Sequence, residues 1–475
     1  MTANPTKGKK SPPPIVYILA AFLLIAGASL GDRKILNSLL GNSININHDL
    51  AKDAISKSDV EQDAISKGET LFFPEDGTSS KLRAAEAFTS GNYATAQALF
   101  DQSLQQKPND PEALIYSNNA KASLHNPLEI AVCVPGNADS NGSREILRGV
   151  AQAQQEINAI GGIKGRLLRV KIANDNNDNN SAQQIATSFV NQSSILGVVG
   201  HYASGVTLAT ADTYNRGKLV AISPISSAVQ LSNKSAYVFR TVPSDYVSAR
   251  ALVDYMLQTL KLKKAVVYFN SQSDYSKSLK GEFSTAIALQ GGQVVGEYDL
   301  ANSSHSHNQS LEAAKQRGAE VIMLASNTGS LDRALQVVQA NNNHLPVLGG
   351  DDVYSPKTLD VTREQGRDMV VAVPWHILAT GSKDFAQRSR RLWGGDVNWR
   401  TATAYDATQA LGAALRQNPT REGIQLVLHS PSFVASGASR TVSFLPSGDR
   451  NAPVQLVKVV QGGRSTYGYD FIPIP

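Results

Sequence analysis

ILGVVGHYASGVTLATADTYNRGKLVAISPISSAVQLS, residues 195–232, is the stretch from which the rest of the chain is read. It opens with a short apolar run, Ile195 to Val199, closed by Gly200, the signature of a buried parallel strand. A polar loop follows, His201-Tyr202-Ala203-Ser204. Ser204 stands where a helix N-cap is expected, ahead of a stripe carrying Val206, Ala209 and Thr213, with Gly217 as the stop. A second apolar run, Leu219 to Ile222, leads to Ser223-Pro224, and Ser226 and Ser227 lie just beyond it. Two strands therefore deliver small hydroxyl residues to one sheet edge. Helix N-termini there present free N–H groups and partial positive charge, which suit a carboxylate or another small anion. At this point the alternative, that Ser204, Ser226 and Ser227 are only helix caps, stays open.

The same alternation runs outward on both sides. Glu129 to Val134 reads as a strand and Ser143 to Ile160 as an amphipathic helix ended by Gly161-Gly162. Leu167 to Ala173 is the next strand. A helix marked by Ala182, Ile185, Phe189 and Val190 leads into the opening stretch. The pattern restarts near residue 262 with the strand Ala265 to Phe269 and a helix opened by Asp274-Tyr275. Val294 to Tyr298, Val321 to Leu324 and Pro346 to Leu348 continue it. Strands alternating with helices give parallel sheets covered on both faces. The fold class is α/β: two doubly wound Rossmann-like lobes joined by a hinge. The first spans about 128–245 and 375–440, the second about 262–370 with part of 441–475. Such sheets bind ligands beyond the carboxyl ends of their strands.

At 475 residues the chain has room for two or three domains. Its apolar fraction of 41%, charged fraction of 18% and net charge of +5 are those of an ordinary globular protein. There is no basic stripe interleaved with aromatics, which argues against nucleic acid as a partner. The one cysteine, Cys133, has no internal disulfide partner and is expected buried and free. Lys7, Lys9 and Lys10 precede the apolar run Ile15 to Leu30, which reads as a signal peptide or membrane anchor over 1–31. Ala26-Gly27-Ala28 fits a cleavage site. Residues 32–79 read as a linker with an imperfect duplication, Asp53 to Lys57 and Asp63 to Lys67, and an apolar spot at Leu71 to Pro74. Residues 80–125 resemble a tetratricopeptide repeat. They carry small residues at a helix crossing, Tyr93 after the turn at Gly91, and Pro108 near the end of the unit. A single unit is too short to stand alone, so these helices are expected to pack on a neighbour or to recruit a partner protein.

Further motifs carry a wider resemblance. They are the run Gln155 to Gly165, Asp175 after its strand, Val198 to Ser204, Ile222-Ser-Pro224, Phe239-Arg-Thr241 and Tyr405-Asp-Ala407. Over about 128–475 the chain resembles the type I periplasmic binding proteins, in particular the leucine/isoleucine/valine-binding components of ABC importers. Its order of segments resembles cyanobacterial proteins. The resemblance implies that the first lobe holds an amino-acid carboxylate through Ser204, Ser227 and the backbone of Ile225, with Tyr202 and Ser226 beside them. It implies that the second lobe supplies an aromatic, Tyr275, and an acid for the ammonium, Asp351 with Asp352 adjacent. Three departures reshape the pocket: Asn327 stands where relatives have tyrosine, Ile225 where many have alanine, and the loop Pro135 to Gly142 lacks the usual aromatic.

The expected function is an extracytoplasmic solute-binding protein, anchored to the inner membrane by its N-terminal helix. It would deliver a branched-chain or other neutral or polar amino acid, or a related small amide, to an ABC permease. The rival reading is a membrane-tethered sensor or scaffold whose helical repeat recruits a partner. No G-x-S-x-G, Walker A or H-E-x-x-H pattern occurs, so no enzyme, cofactor or metal is expected. His305 and His307 read as a solvated loop rather than metal ligands.

Overall fold

The computed structural model describes residues 64–304 and 306–474. The apolar run Ile15 to Leu30, the linker up to residue 63 and His305 lie outside the described residues. Among the described residues no helix is long and apolar enough to cross a membrane.

Among the described residues there are fifteen strands, numbered in chain order. The first lobe is built on β1 (Ile65–Ser66), β2 (Leu128–Val134), β3 (Leu168–Asn174), β4 (Ile195–Val199), β5 (Ala221–Ser223) and β6 (Val238–Arg240). The second uses β7 (Lys264–Phe269), β8 (Gln293–Asp299), β9 (Val321–Ala325), β10 (Val347–Gly349) and β11 (Val370–Val373). β12 (Ala435–Ser436) and β13 (Thr441–Val442) form a small pair, and β14 (Gln455–Gln461) and β15 (Tyr469–Pro473) close the chain. The sheet orders are β1-β3-β2-β4-β5-β6 and β15-β14-β11-β10-β9-β7-β8. Both centres are parallel, and the added edges β1, β14 and β15 run antiparallel.

Fully buried runs such as Ile130 to Val134 and Val321 to Ala325 form the central strands, because a parallel sheet is covered on both faces. The chain crosses between the sheets after β6, after β11 and after β13, which makes the joint a multi-stranded hinge. The helix Asp245–Asp254 packs on the helix Asp274–Leu289 and on β11, and its Ala249, Leu252 and Val253 join the core of the second sheet. It therefore belongs to the second lobe, which begins near 245 instead of 262.

Two local expectations are corrected. Ser204 is the first residue of the helix Ser204–Arg216 and Ala203 is its N-cap, with no side-chain capping bond. The buried stripe of that helix is Val206, Thr207, Thr210, Ala211 and Tyr214, not Val206, Ala209 and Thr213. Thr207 bonds Ser226 at 2.8 Å and Thr210 returns its hydroxyl to the Val206 carbonyl, so both threonines are satisfied while buried. A stripe counted on apolar residues alone missed them.

The last third of the presumed linker is part of the fold. β1 pairs with the outer edge of β3, and Phe73 is buried. Residues 67–73 run along the helix Pro111–Ser123: Asn119 Nδ2 donates to the Lys67 carbonyl, Tyr116 to the Thr70 carbonyl, and Glu112 accepts from the Phe72 and Phe73 amides. The helices Ser79–Thr89, Tyr93–Gln106 and Pro111–Ser123 thus take the chain's own connector along their third member. That third helix is buried nearly all round, because it also packs on β3 and on the helix Ser140–Ala159.

Together these pieces close the edge of β3. An unpaired sheet edge offers free N–H and C=O groups to other chains. Here Asn158 takes both backbone groups of Leu168, at 2.7 and 2.9 Å, and Asn119 takes both of Val170, at 2.9 and 2.6 Å. β1 covers Ile172 and Ala173. Asn119→Leu leaves a buried donor and acceptor without partners, each costing roughly 1–3 kcal/mol. A fall of about 3 kcal/mol in unfolding free energy by urea titration is expected, and an unchanged midpoint would remove this role.

Candidate functional site: the cleft between the lobes

Register brings the loops together. Val132 pairs with Val199, Val199 with Ile222, and Ile222 with Phe239, so the loops after β2, β4 and β5 leave the first sheet side by side. Phe269 pairs with Ala325 and Leu324 with Gly349, which carries Tyr275, Asn327 and Asp351 to one edge of the second sheet. The two edges meet across a cavity of ≈ 240 Å³. That is just under the usual size of small-molecule sites, about 300–1,000 Å³.

Tyr202, Ser204, Ile225, Ser226, Tyr275, Asn327, Asp351 and Asp352 all line this cavity. Ser227 does not. Its carbonyl accepts from the Asp245 amide at 2.8 Å and its hydroxyl lies toward that carboxyl. Burial pushes Asp245 up to about 6, against the pull of the Ser278 and Ser227 hydroxyls.

Hydrogen-bond accounting separates the remaining hydroxyls. Ser223 Oγ donates to the His201 carbonyl at 2.7 Å and accepts from the Ile225 and Ser226 amides. Ile225 therefore has no free N–H for a guest, contrary to the sequence expectation, and offers only its carbonyl and side chain. Ser226 Oγ is held between the Tyr202 carbonyl and Thr207. Ser204 Oγ accepts from the Ala228 amide at 3.3 Å, and its own proton is used by no hydrogen bond among the described residues. It sits at the start of a helix whose first-turn amides carry partial positive charge. The first lobe thus offers an anion one hydroxyl and a helix terminus.

The two acids of the second lobe have different duties. Tyr275 Oη donates to Asp351 Oδ1 at 2.7 Å, while Asp351 Oδ2 accepts no hydrogen bond among the described residues. The tyrosine lies across Gly350, where an added Cβ would meet Tyr275 Oη at 2.3 Å, so a side chain at this position would push the tyrosine aside. Burial, reinforced by the Asp352 charge, pushes Asp351 up to about 8. Asp352 is committed: Arg400 binds it at 2.6 Å, and it accepts from the Thr328 amide at 3.1 Å. Burial also raises Asp352, with Arg400 opposing.

Several contributors were missed. Asp139 caps the helix Ser140–Ala159 and accepts from Tyr202 Oη at 2.7 Å. Thr328 meets Tyr202 Oη from the other lobe at 3.2 Å. Trp399, 1% exposed, brings an aromatic wall from the start of the helix Trp399–Gln417, and the Arg400 guanidinium lies 4.3 Å from its ring centre. It supplies the aromatic that the loop Pro135 to Gly142 lacks. Asn398-Trp399, an N-cap followed by a large aromatic, was the one sequence signal for it.

Beneath the site, Gly200 approaches Cys133 so closely that a Cβ would sit 2.8 Å from Cys133 Cβ. His201 is fully buried, with Nδ1 at 2.6 Å from Asp175 and Nε2 at 2.8 Å from Tyr214 Oη. Burial opposes its charge, but Cys133 and Asp175 outweigh that and lift it to about 10. Cys133, Asp175 and His201 lie close enough to share an ion, yet both ring nitrogens are already hydrogen-bonded. The cluster is a closed brace under the Tyr202–Ser204 loop.

A family model described as periplasmic binding protein matches residues 131–464, which takes in the parallel centres of both sheets and the cleft between them. The chain belongs to the periplasmic binding protein family. Among curated relatives of this periplasmic binding protein, an amino acid binding protein of Pseudomonas aeruginosa is 27% identical over 214 residues, covering 44% of this chain and 57% of that one. A Leu/Ile/Val-binding protein homolog of Brucella melitensis is 29% identical, covering 44% and 56%. The matched region thus spans little more than half the length of these two relatives. The Leu/Ile/Val-binding protein of Escherichia coli is 23% identical, covering 64% of this chain and 83% of its own. In fold, an ABC transporter substrate-binding protein of Desulfitobacterium hafniense, solved with Leu, gives a TM-score of 0.63 at 22% identity, covering 73% of this chain and all (100%) of its own.

Proposed function

We propose that this periplasmic binding protein captures an α-amino acid, or a related small amide, outside the cytoplasm and presents it to an ABC permease. One observation carries the reading. Ser204, with its unspent proton at a helix start, and Asp351, with its unspent oxygen, line one amino-acid-sized cavity from opposite lobes. A carboxylate suits the first and an ammonium the second. Relatives named for binding amino acids support the ligand class, and the apolar run Ile15 to Leu30 behind three lysines supports export.

The Asp351 carboxyl gives the test. In the empty cleft it holds a proton up to about pH 8. An arriving ammonium needs the carboxylate, so binding expels that proton below this pH. Affinity is expected to rise as pH goes from 6 to 8, by up to about tenfold per unit, and then to level off. Calorimetric titration of the full chain with a panel of amino acids, in two buffers of different ionisation heat, reads the released proton directly. Heats that do not depend on the buffer at pH 7, with affinity flat from 6 to 8, would exclude Asp351 as the ammonium partner.

A further inference from the structure

The lining of the cleft is lopsided in charge. Asp139, Asp351 and Asp352 all contribute to it, and no lysine, arginine or histidine is among the lining residues. Arg400, just behind Trp399, pairs with Asp352. A zwitterionic guest held as proposed would place its ammonium on Asp351 and its carboxylate at Ser204. Asp139 has the Tyr202 hydroxyl and the Gly142 amide as donors and no cation in direct contact among the described residues, with the Arg400 guanidinium acting on it only from a longer range. The far wall is polar as well. Tyr202 donates to Asp139 at 2.7 Å and Thr328 to Asp352 at 3.3 Å, and the two hydroxyl oxygens lie 3.2 Å apart across the lobes. An aliphatic side chain pointing there would desolvate these groups and return nothing.

We infer that the guest carries a second, positively charged group at its far end, so that the site takes a basic amino acid in preference to an aliphatic one. This rests on the amino-acid reading of the cleft and narrows it. The ammonium or guanidinium of such a side chain meets Asp139 and the outer side of Asp352. Both carboxylates already accept donors and have lone pairs left. Asp139 is only half-buried, so the attraction is partly screened, and the preference shrinks as salt rises.

The probes are L-lysine, L-norleucine, which matches it in shape without the terminal ammonium, and L-glutamine, each titrated calorimetrically into the full chain at pH 7.5. Lysine is expected to bind at least about tenfold tighter than norleucine at low salt, with the ratio falling between 0.05 and 0.5 M sodium chloride. Asp139→Asn keeps an N-cap side chain and an acceptor for Tyr202, and is expected to cut the lysine-to-norleucine ratio about tenfold. The ratio in the unaltered protein decides the matter even if the variant does not fold. Norleucine or glutamine binding as tightly as lysine overturns the inference and leaves the proposed function standing. Failure of every amino acid to bind removes the proposed function itself.

Discussion

Asp351→Asn is expected to weaken amino-acid binding by at least about 100-fold. Removing one partner of a buried, hydrogen-bonded charge pair typically costs 2–5 kcal/mol or more, because the other charge is left in the cleft without compensation. The substitution is otherwise mild, since an asparagine Oδ1 can still accept from Tyr275 as Asp351 Oδ1 does at 2.7 Å. Loss of affinity with a retained fold would therefore report the charge. The empty protein gives an independent check. With a folded-state pKa raised to about 8, the native state of the unaltered protein holds a proton that the unfolded chain has already lost above pH 4. Stability then falls as pH rises from about 4 to 8 and levels off beyond. In Asp351→Asn this part of the decline is expected to vanish, read from urea midpoints across that range. A variant that binds as tightly as the parent would leave the ammonium without its acid.

Lys81→Met is expected to lower stability by about 3–5 kcal/mol. Lys81 is fully buried, with its ammonium 2.7 Å from Asp110 and 2.9 Å from Glu112, themselves almost without exposure. Burial alone would strip its proton, but the two carboxylates outweigh burial and raise its pKa. Take the cation away and two buried acids face each other. Their main structural duties survive neutralisation: Asp110 caps the helix at Ala113 through one oxygen, and Glu112 accepts from the Phe72 amide through one oxygen, so only its longer bond from the Phe73 amide is lost in a glutamine. Adding Asp110→Asn and Glu112→Gln to Lys81→Met is therefore expected to recover most of the loss. Urea unfolding of the single and triple variants checks this. Equal midpoints for both would show that the triad is not electrostatic in its effect.

What could be read from the sequence follows from period and punctuation. Runs such as Ile195 to Val199 and Val321 to Ala325 declare buried parallel strands, and the loops after them carry the polar residues of the cleft. Tyr202, Ser204 and Asp351 were accessible for that reason. Hydrogen-bond partnership was not. Nothing in residues 223–227 says that Ser223 consumes the Ile225 and Ser226 amides, or that Ser227 turns toward Asp245. Nor does the pair Asp351-Asp352 reveal which member Arg400 claims, because that arginine arrives from another lobe 48 residues later. Burial of Thr207 and Thr210 hid from an apolar count, since their hydroxyls are satisfied within the lobe. The covering of β3 by Asn119 and Asn158 hid for the same reason: an amide that stands in for a missing strand looks, in sequence, like any polar helix residue.

The claim that the rest depends on is that one lobe grips a carboxylate through Ser204 and the other an ammonium through Asp351. Calorimetric titration of the full chain with whichever amino acid it binds best, alongside that compound's N-acetyl and methyl-ester derivatives, tests it most directly. Both derivatives are expected to lose at least about 100-fold in affinity, each having lost one charged end. A derivative that binds as tightly as its parent would contradict the account.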